Sequence, residues 1–163
     1  MYTKINIFLG LILSISTNCS QSQTGYANNP SIINESAGTL AERFKVPDRY
    51  QRLLFDTASF QYYLKNLKLK PANAKVFLYN GKLKANQNIH EAVLDFDIGK
   101  SDLQQCADAV MRIRAEYLYA MCRFDEICFN FVSDGKPRCF LDFSDEKTDY
   151  LSFRKFMNYM TIC

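Results

Sequence analysis

Cys106 and His90 are the residue types in this chain best suited to nucleophilic chemistry. A thiolate attacks where a thiol does not, and the positive end of a helix dipole stabilises the thiolate. The spacing predicts a helix over 102–121, with a capping box at Ser101 and Gln104 and a second register at Asp102 and Gln105. Either register puts Cys106 in the first turns. His90 is the sole histidine and lies before the segment that feeds this helix. It could take the thiol proton, as a cysteine hydrolase requires. A small apolar helix cysteine and a surface histidine fit the same spacing, so the hydrolase stands as the alternative and not as the preferred reading.

Other polar residues could bind rather than react. Asp95 and Asp97 fall on one face of a strand whose other face is Leu94, Phe96 and Ile98. They could serve acid/base work or a cation, but an ordinary solvated sheet face, or one Asp paired with Arg114, is the favoured reading. Asp108, Arg112 and Glu116 repeat at i,i+4, which makes two salt bridges on one helix face. Arg112 could take a carboxylate or phosphate if that face is covered. Arg114 falls on the apolar stripe of Leu103, Ala107, Val110, Tyr117, Leu118 and Met121. A core-facing arginine needs a carboxylate, and Asp95, Asp97 and Asp142 are the nearest in sequence. Lys84, Asn86 and Gln87 follow the Asn80-Gly81 turn and supply an ammonium and two amides that could hold a sugar or peptide.

These residues need a frame. Thr57 or Ser59 caps a helix over 60–67, with Phe60, Tyr63, Leu64 and Leu67 on one face and Pro71 ending it. Lys75–Tyr79 reads as a strand, and Asn80-Gly81 is a hairpin signal because both residues tolerate positive φ. Ala92–Ile98 and Glu126–Val132 read as strands, the latter with Ile127, Phe129 and Phe131 on one face. Asp134 to Pro137 is a turn, Cys139–Phe143 a short strand, and 150–160 a last helix. The order predicts an α+β domain: a small, largely antiparallel sheet packed against the central helix and two further helices. A βαβ crossover between the strands at 92 and 126 would add one parallel pair.

The N-terminus reads as a targeting segment. Lys4 is followed by an apolar run from Ile5 to Ile15 and then by Ser16-Thr17-Asn18-Cys19. A cysteine directly after a short apolar run resembles a bacterial lipobox, in which the thiol is acylated and Cys19 becomes the first residue. Residues 1–18 are then a signal segment, 19–42 a lipid-anchored polar tether and 43–163 one globular domain. As a flexible coil the tether would reach on the order of 27 Å. The location expected is the cell envelope, membrane-anchored on the non-cytoplasmic side through Cys19, with an envelope polymer or protein as partner. The formal net charge of +3 lacks the dense basic patch that nucleic acid calls for.

With Cys19 acylated, Cys106, Cys122, Cys128, Cys139 and Cys163 remain, an odd number. Cys106 and Cys122 would lie about 24 Å apart along one helix, out of disulfide reach. Pairs among Cys122, Cys128, Cys139 and Cys163 stay open. Without a C-x-x-C pair and with one histidine, neither a metal site nor a cofactor is expected.

Several stretches resemble a family of bacterial lipoproteins carrying domain of unknown function 4846. They are Ser59-Phe60 with Tyr63-Leu64, Leu67 to Pro71, Leu78 to Gly81 with Lys84, Asn86 and Gln87, Ala92 to Asp95 with Asp97 and Gly99, and the run Asp102 to Tyr119. The resemblance covers about half of the chain, from Pro47 to Phe131. It implies a lipoprotein class and no catalytic assignment. Members are longer after the strand at 127–132 and continue beyond the position of Tyr159, so the C-terminal part here reads as shortened. The preferred function is non-catalytic: binding a polar ligand or envelope component through the loop at 82–90 and the polar groups around the central helix. The alternative is a hydrolase with Cys106 as nucleophile and His90 as base, acting on an envelope peptide or amide bond.

Overall fold

The computed structural model describes residues 32–99 and 106–160. Its elements are α1 (Leu40–Arg43), α2 (Phe60–Lys65), α3 (Cys106–Ala120), a 3₁₀ turn (Phe124–Glu126), β1 (Cys128–Asn130), β2 (Pro137–Cys139), α4 (Phe140–Ser144) and α5 (Tyr150–Met160). The class is α+β, as expected. The capping residues predicted for α3 lie outside the described residues.

The core is built from the second half of the chain. On α5, Phe153, Phe156, Met157 and Met160 share one buried face, the i, i+3, i+4, i+7 pattern of an amphipathic helix. They pack with Ala115 and Leu118 of α3, Ile127, Phe131 and Phe140. Asp149 starts α5: its carboxylate accepts from the Ser152 amide at 2.9 Å and from the Ser152 hydroxyl at 2.7 Å. Those bonds hold the Asp149 carboxyl below its ordinary range. β1 and β2 pair antiparallel with Cys128 opposite Cys139, and a disulfide joins these two residues. Cys106 and Cys122 are free and exposed, while Cys163 lies outside the described residues.

The first half is held more thinly. Leu67–Lys70 runs extended and is bridged on both sides. Leu69 N–H donates to the Gly38 carbonyl and Leu40 N–H to the Leu67 carbonyl. On the other edge Lys70 N–H donates to Val93 and Asp95 N–H to Lys68. Arg43, 2 % exposed, ties this layer together by donating to the Ala37 and Lys70 carbonyls. Residues 32–42, inside the segment read as a tether, thus include most of α1 and one edge of this layer.

Four expectations are corrected. Cys139–Phe143 is not a strand: β2 ends at Cys139 and the chain turns directly into α4. A short apolar run does not distinguish period 2 from period 3.6, and burial of Phe140 and Ser144 on one side decides for helix. α2 ends at Lys65, with Asn66 as its C-cap, well before Pro71, because Leu67–Lys70 is taken by the bridges just described. The segments at 75–79 and 92–98 make single bridges, Phe77 to Leu83 and Leu69 to Leu94, not a ladder, and Tyr79 is already in the turn. Every strand pairing among the described residues is antiparallel, so no βαβ crossover is present there.

Candidate functional site

A cleft of about 510 Å³ lies between α3, the hairpin at 76–84 and the segment at 92–98. That volume falls within the range of small-molecule sites. Ala109, Arg112 and Ile113, at i, i+3 and i+4, line it from α3. Val76 to Tyr79 and Lys84 line it from the hairpin, and Ala92, Val93, Leu94, Phe96 and Ile98 from the third side.

The hairpin wall is shaped by its own polar residues. Gly81 takes φ 77° at the turn. The Gln87 amide grips the base of the hairpin: Oε1 accepts from Val76 N–H at 2.9 Å, and Nε2 donates to the Val76 carbonyl at 3.0 Å and to the Lys84 carbonyl at 2.5 Å. Asn86 accepts from the Asn88 amide in a tight turn. Of the three loop residues singled out by sequence, Lys84 alone lines the cleft, while Asn86 and Gln87 hydrogen-bond to the chain's own backbone.

Arg112 is the buried arginine of α3, at 3 % exposure. Its Nε donates to Glu116 Oε1 at 2.6 Å, and Nη2 lies 2.5 Å from the same oxygen. Nη2 also donates to the Tyr150 hydroxyl at 3.3 Å, and that hydroxyl donates to Glu116 at 2.9 Å. The guanidinium carbon sits 5.9 Å from the centre of the Phe96 ring. Burial, and then the Glu116 carboxylate, push the Tyr150 hydroxyl above its ordinary range. Burial, reinforced by Glu116 and Tyr150, pushes Tyr63 up to about 12. Both phenols therefore stay neutral at physiological pH.

Arg114 does not fill the role expected of it. It is half-buried, stacked 5.2 Å from the ring centres of Phe60 and Tyr117, and makes no ion pair with Asp95, Asp97 or Asp142. The apolar stripe is partly displaced from its predicted position: Tyr117 and Leu118 are buried as expected, but Val110 and Met121 are exposed, whereas Arg112 and Ala115 are buried. Phe96 and Tyr150 lie beside the face that carries the i,i+4 charges. Of those charges, the Arg112–Glu116 pair is present.

Asp95 is exposed. Asp97 accepts from the Gly99 amide at 2.8 Å and lies 3.9 Å from Arg154 Nη2. Nη1 of Arg154 is buried with no hydrogen-bond partner. His90 Nε2 donates to the Ala74 carbonyl at 3.2 Å, and its buried Nδ1 has no hydrogen-bond partner. No hydrogen bond joins His90 to Cys106, whose side chain is exposed at the start of the described part of α3. Among the described residues no three His, Cys, Asp or Glu side chains cluster as metal ligands would.

Sequence reasoning missed Tyr150 and Phe96 as parts of the site. Tyr150 reaches Glu116 across 34 positions of chain, and no local pattern announces such a contact. The family model for domain of unknown function 4846 matches residues 40–152. The chain belongs to that family. The match includes the whole cleft, its three walls and Tyr150, so the cleft is built entirely from the family's domain. No curated protein and no solved structure matches the chain. No helix among the described residues is long and apolar enough to cross a membrane.

Proposed function

We propose that this is an exported, lipid-anchored envelope protein of the 4846 family that binds a ligand with an anionic group in the cleft and does not transform it. One observation carries the binding reading: a guanidinium at 3 % exposure lines an otherwise mainly apolar cleft that also holds the ammonium of Lys84. A few placed polar groups in an apolar concavity are the usual construction of a ligand site. Glu116 and Tyr150 fix the guanidinium's orientation in advance, so little ordering remains for a ligand to impose. Export and anchoring are supported by Lys4, the apolar run and Cys19. The Cys128–Cys139 disulfide adds to this, since disulfides persist in oxidising compartments.

Thermal unfolding tests the binding reading. Ligands that bind only the folded state raise the melting temperature. Benzoate, acetate and phosphate should include at least one anion that stabilises the wild-type full chain and leaves a Lys84→Glu protein unmoved. Uncharged benzamide should do nothing. A panel in which no anion shifts the wild type would sink the reading. Metabolic palmitate labelling tests the anchor: a Cys19→Ala protein should lose both label and membrane partition.

A further inference from the structure

The cleft's charge and its walls together specify a ligand class. Lys84 and Arg112 are its two cationic lining residues. Arg112 is already matched by Glu116, which leaves one unmatched positive charge. Asp97 is turned to the Gly99 amide and Arg154, and Asp95 is exposed. A monoanion balances that field, whereas a dianion overfills it. Glu116 takes the Nε–Nη2 edge of the Arg112 guanidinium and Nη2 also donates to the Tyr150 hydroxyl, so both edges that could grip two oxygens at once are engaged at Nη2. That favours a small, singly charged head over a phosphate monoester. The remaining lining is aliphatic or aromatic apart from the Tyr79 hydroxyl, with Val76, Leu94, Phe96 and Ile113 among it. It offers cover to an apolar body and, besides Tyr79, Lys84 and Arg112, no polar side chain to hold a sugar.

We infer that the cleft takes an alkyl carboxylate, its charge matched by Lys84 beside the Arg112–Glu116 pair and its chain laid along the apolar walls. The inference rests on the anion-binding reading above and adds the apolar body. Each methylene brought out of water should tighten binding about fourfold until the cleft is filled.

Hydrogen exchange of the full chain in lipid nanodiscs, titrated with butanoate, hexanoate and octanoate, reads this locally. Protection should appear in peptides covering 76–84 and 92–98. Octanoate should act at concentrations at least about twentyfold below butanoate, a conservative reading of four methylenes at that increment. Lys84→Ala, a change at an exposed side chain, should weaken octanoate about tenfold, and Lys84→Glu should abolish its protection. Octyltrimethylammonium should not protect, and octyl phosphate should act less tightly than octanoate. Protection by all three acids at equal concentrations would overturn the alkyl carboxylate and leave the anion-binding reading standing. Equal protection by octyltrimethylammonium, or none by any probe, would overturn both.

Discussion

At the scale of single residues, two arginines two positions apart have opposite fates. Arg112 is buried against Glu116 and Tyr150, while Arg114 lies over the rings of Phe60 and Tyr117 without a carboxylate. Breaking a buried pair leaves a stranded charge and costs about 3–5 kcal/mol. A cation over aromatic faces at a partly exposed site contributes about 1 kcal/mol. Arg112→Met should therefore lower the denaturant midpoint far more than Arg114→Met does. Equal losses would mean that the Arg112–Glu116 pair is not sequestered in solution. The phenols around this pair give a pH test. Tyr63 and Tyr150 both titrate above the ordinary phenol, Tyr63 at about 12. A group whose folded pKa is raised adds stability that is complete below its unfolded pKa and fades as pH climbs through the folded value. For Tyr63 that window runs from about 10 to about 12. Tyrosinate absorbance should show a late-titrating class, and Glu116→Gln should bring it to lower pH. Stability should decline across the same window.

At the scale of elements, Gln87 acts as a latch for the hairpin at 76–84. Its amide makes three hydrogen bonds to Val76 and Lys84, in a stretch whose strand pairing is a single bridge. Net hydrogen-bond contributions are about 1 kcal/mol each, less where water can substitute. Gln87→Ala should cost about 1–2 kcal/mol locally, speed amide exchange at Val76 and Lys84, and leave α5 untouched. Uniform acceleration would show that the latch supports the whole fold instead. The sequence made several elements legible for the same kind of local reason. Ser59 caps α2, Asn80-Gly81 turns the hairpin, and the Phe153, Phe156, Met157, Met160 spacing draws α5. α4 and α1 were not legible. α4 is decided by what Phe140 and Ser144 bury against, and α1 by bridges from Leu67–Lys70 into a stretch of polar composition. Lys84 and Arg112 stood out as polar residues with a use. That they line one cleft follows from the placement of the hairpin and of Phe96 beside α3, a long-range fact with no signature at either position.

At the scale of the whole molecule, the two halves differ in how they are held. The fully buried large side chains are Phe140, Phe153, Phe156 and Ile127, all in the second half. The cleft thus has a firm floor on α3 and thinly pinned walls at 76–84 and 92–98, where Phe77, Leu78, Leu83 and Ile98 remain exposed. Stability that is unevenly distributed lets one region open without the other. The disulfide gives a way to separate them. Cys128 and Cys139 are 11 positions apart, and closing a loop of that size stabilises by about 3 kcal/mol in the chain-entropy account. Phe131 of its loop packs in the core with Ile127 and Phe140, which flank the bridge, and no residue of the loop lines the cleft. Replacing both cysteines with serine should lower the midpoint of global unfolding by roughly that amount and raise amide exchange in α4 and α5. Exchange at 76–84 should stay as it was, because those amides are held by bonds within the hairpin, Leu78 N–H to Lys82 and Lys84 N–H to Val76. If the hairpin lost protection in step with α5, the walls and the core would form one cooperative unit. The cleft would then be as firm as its floor, and ligand entry would need no local opening.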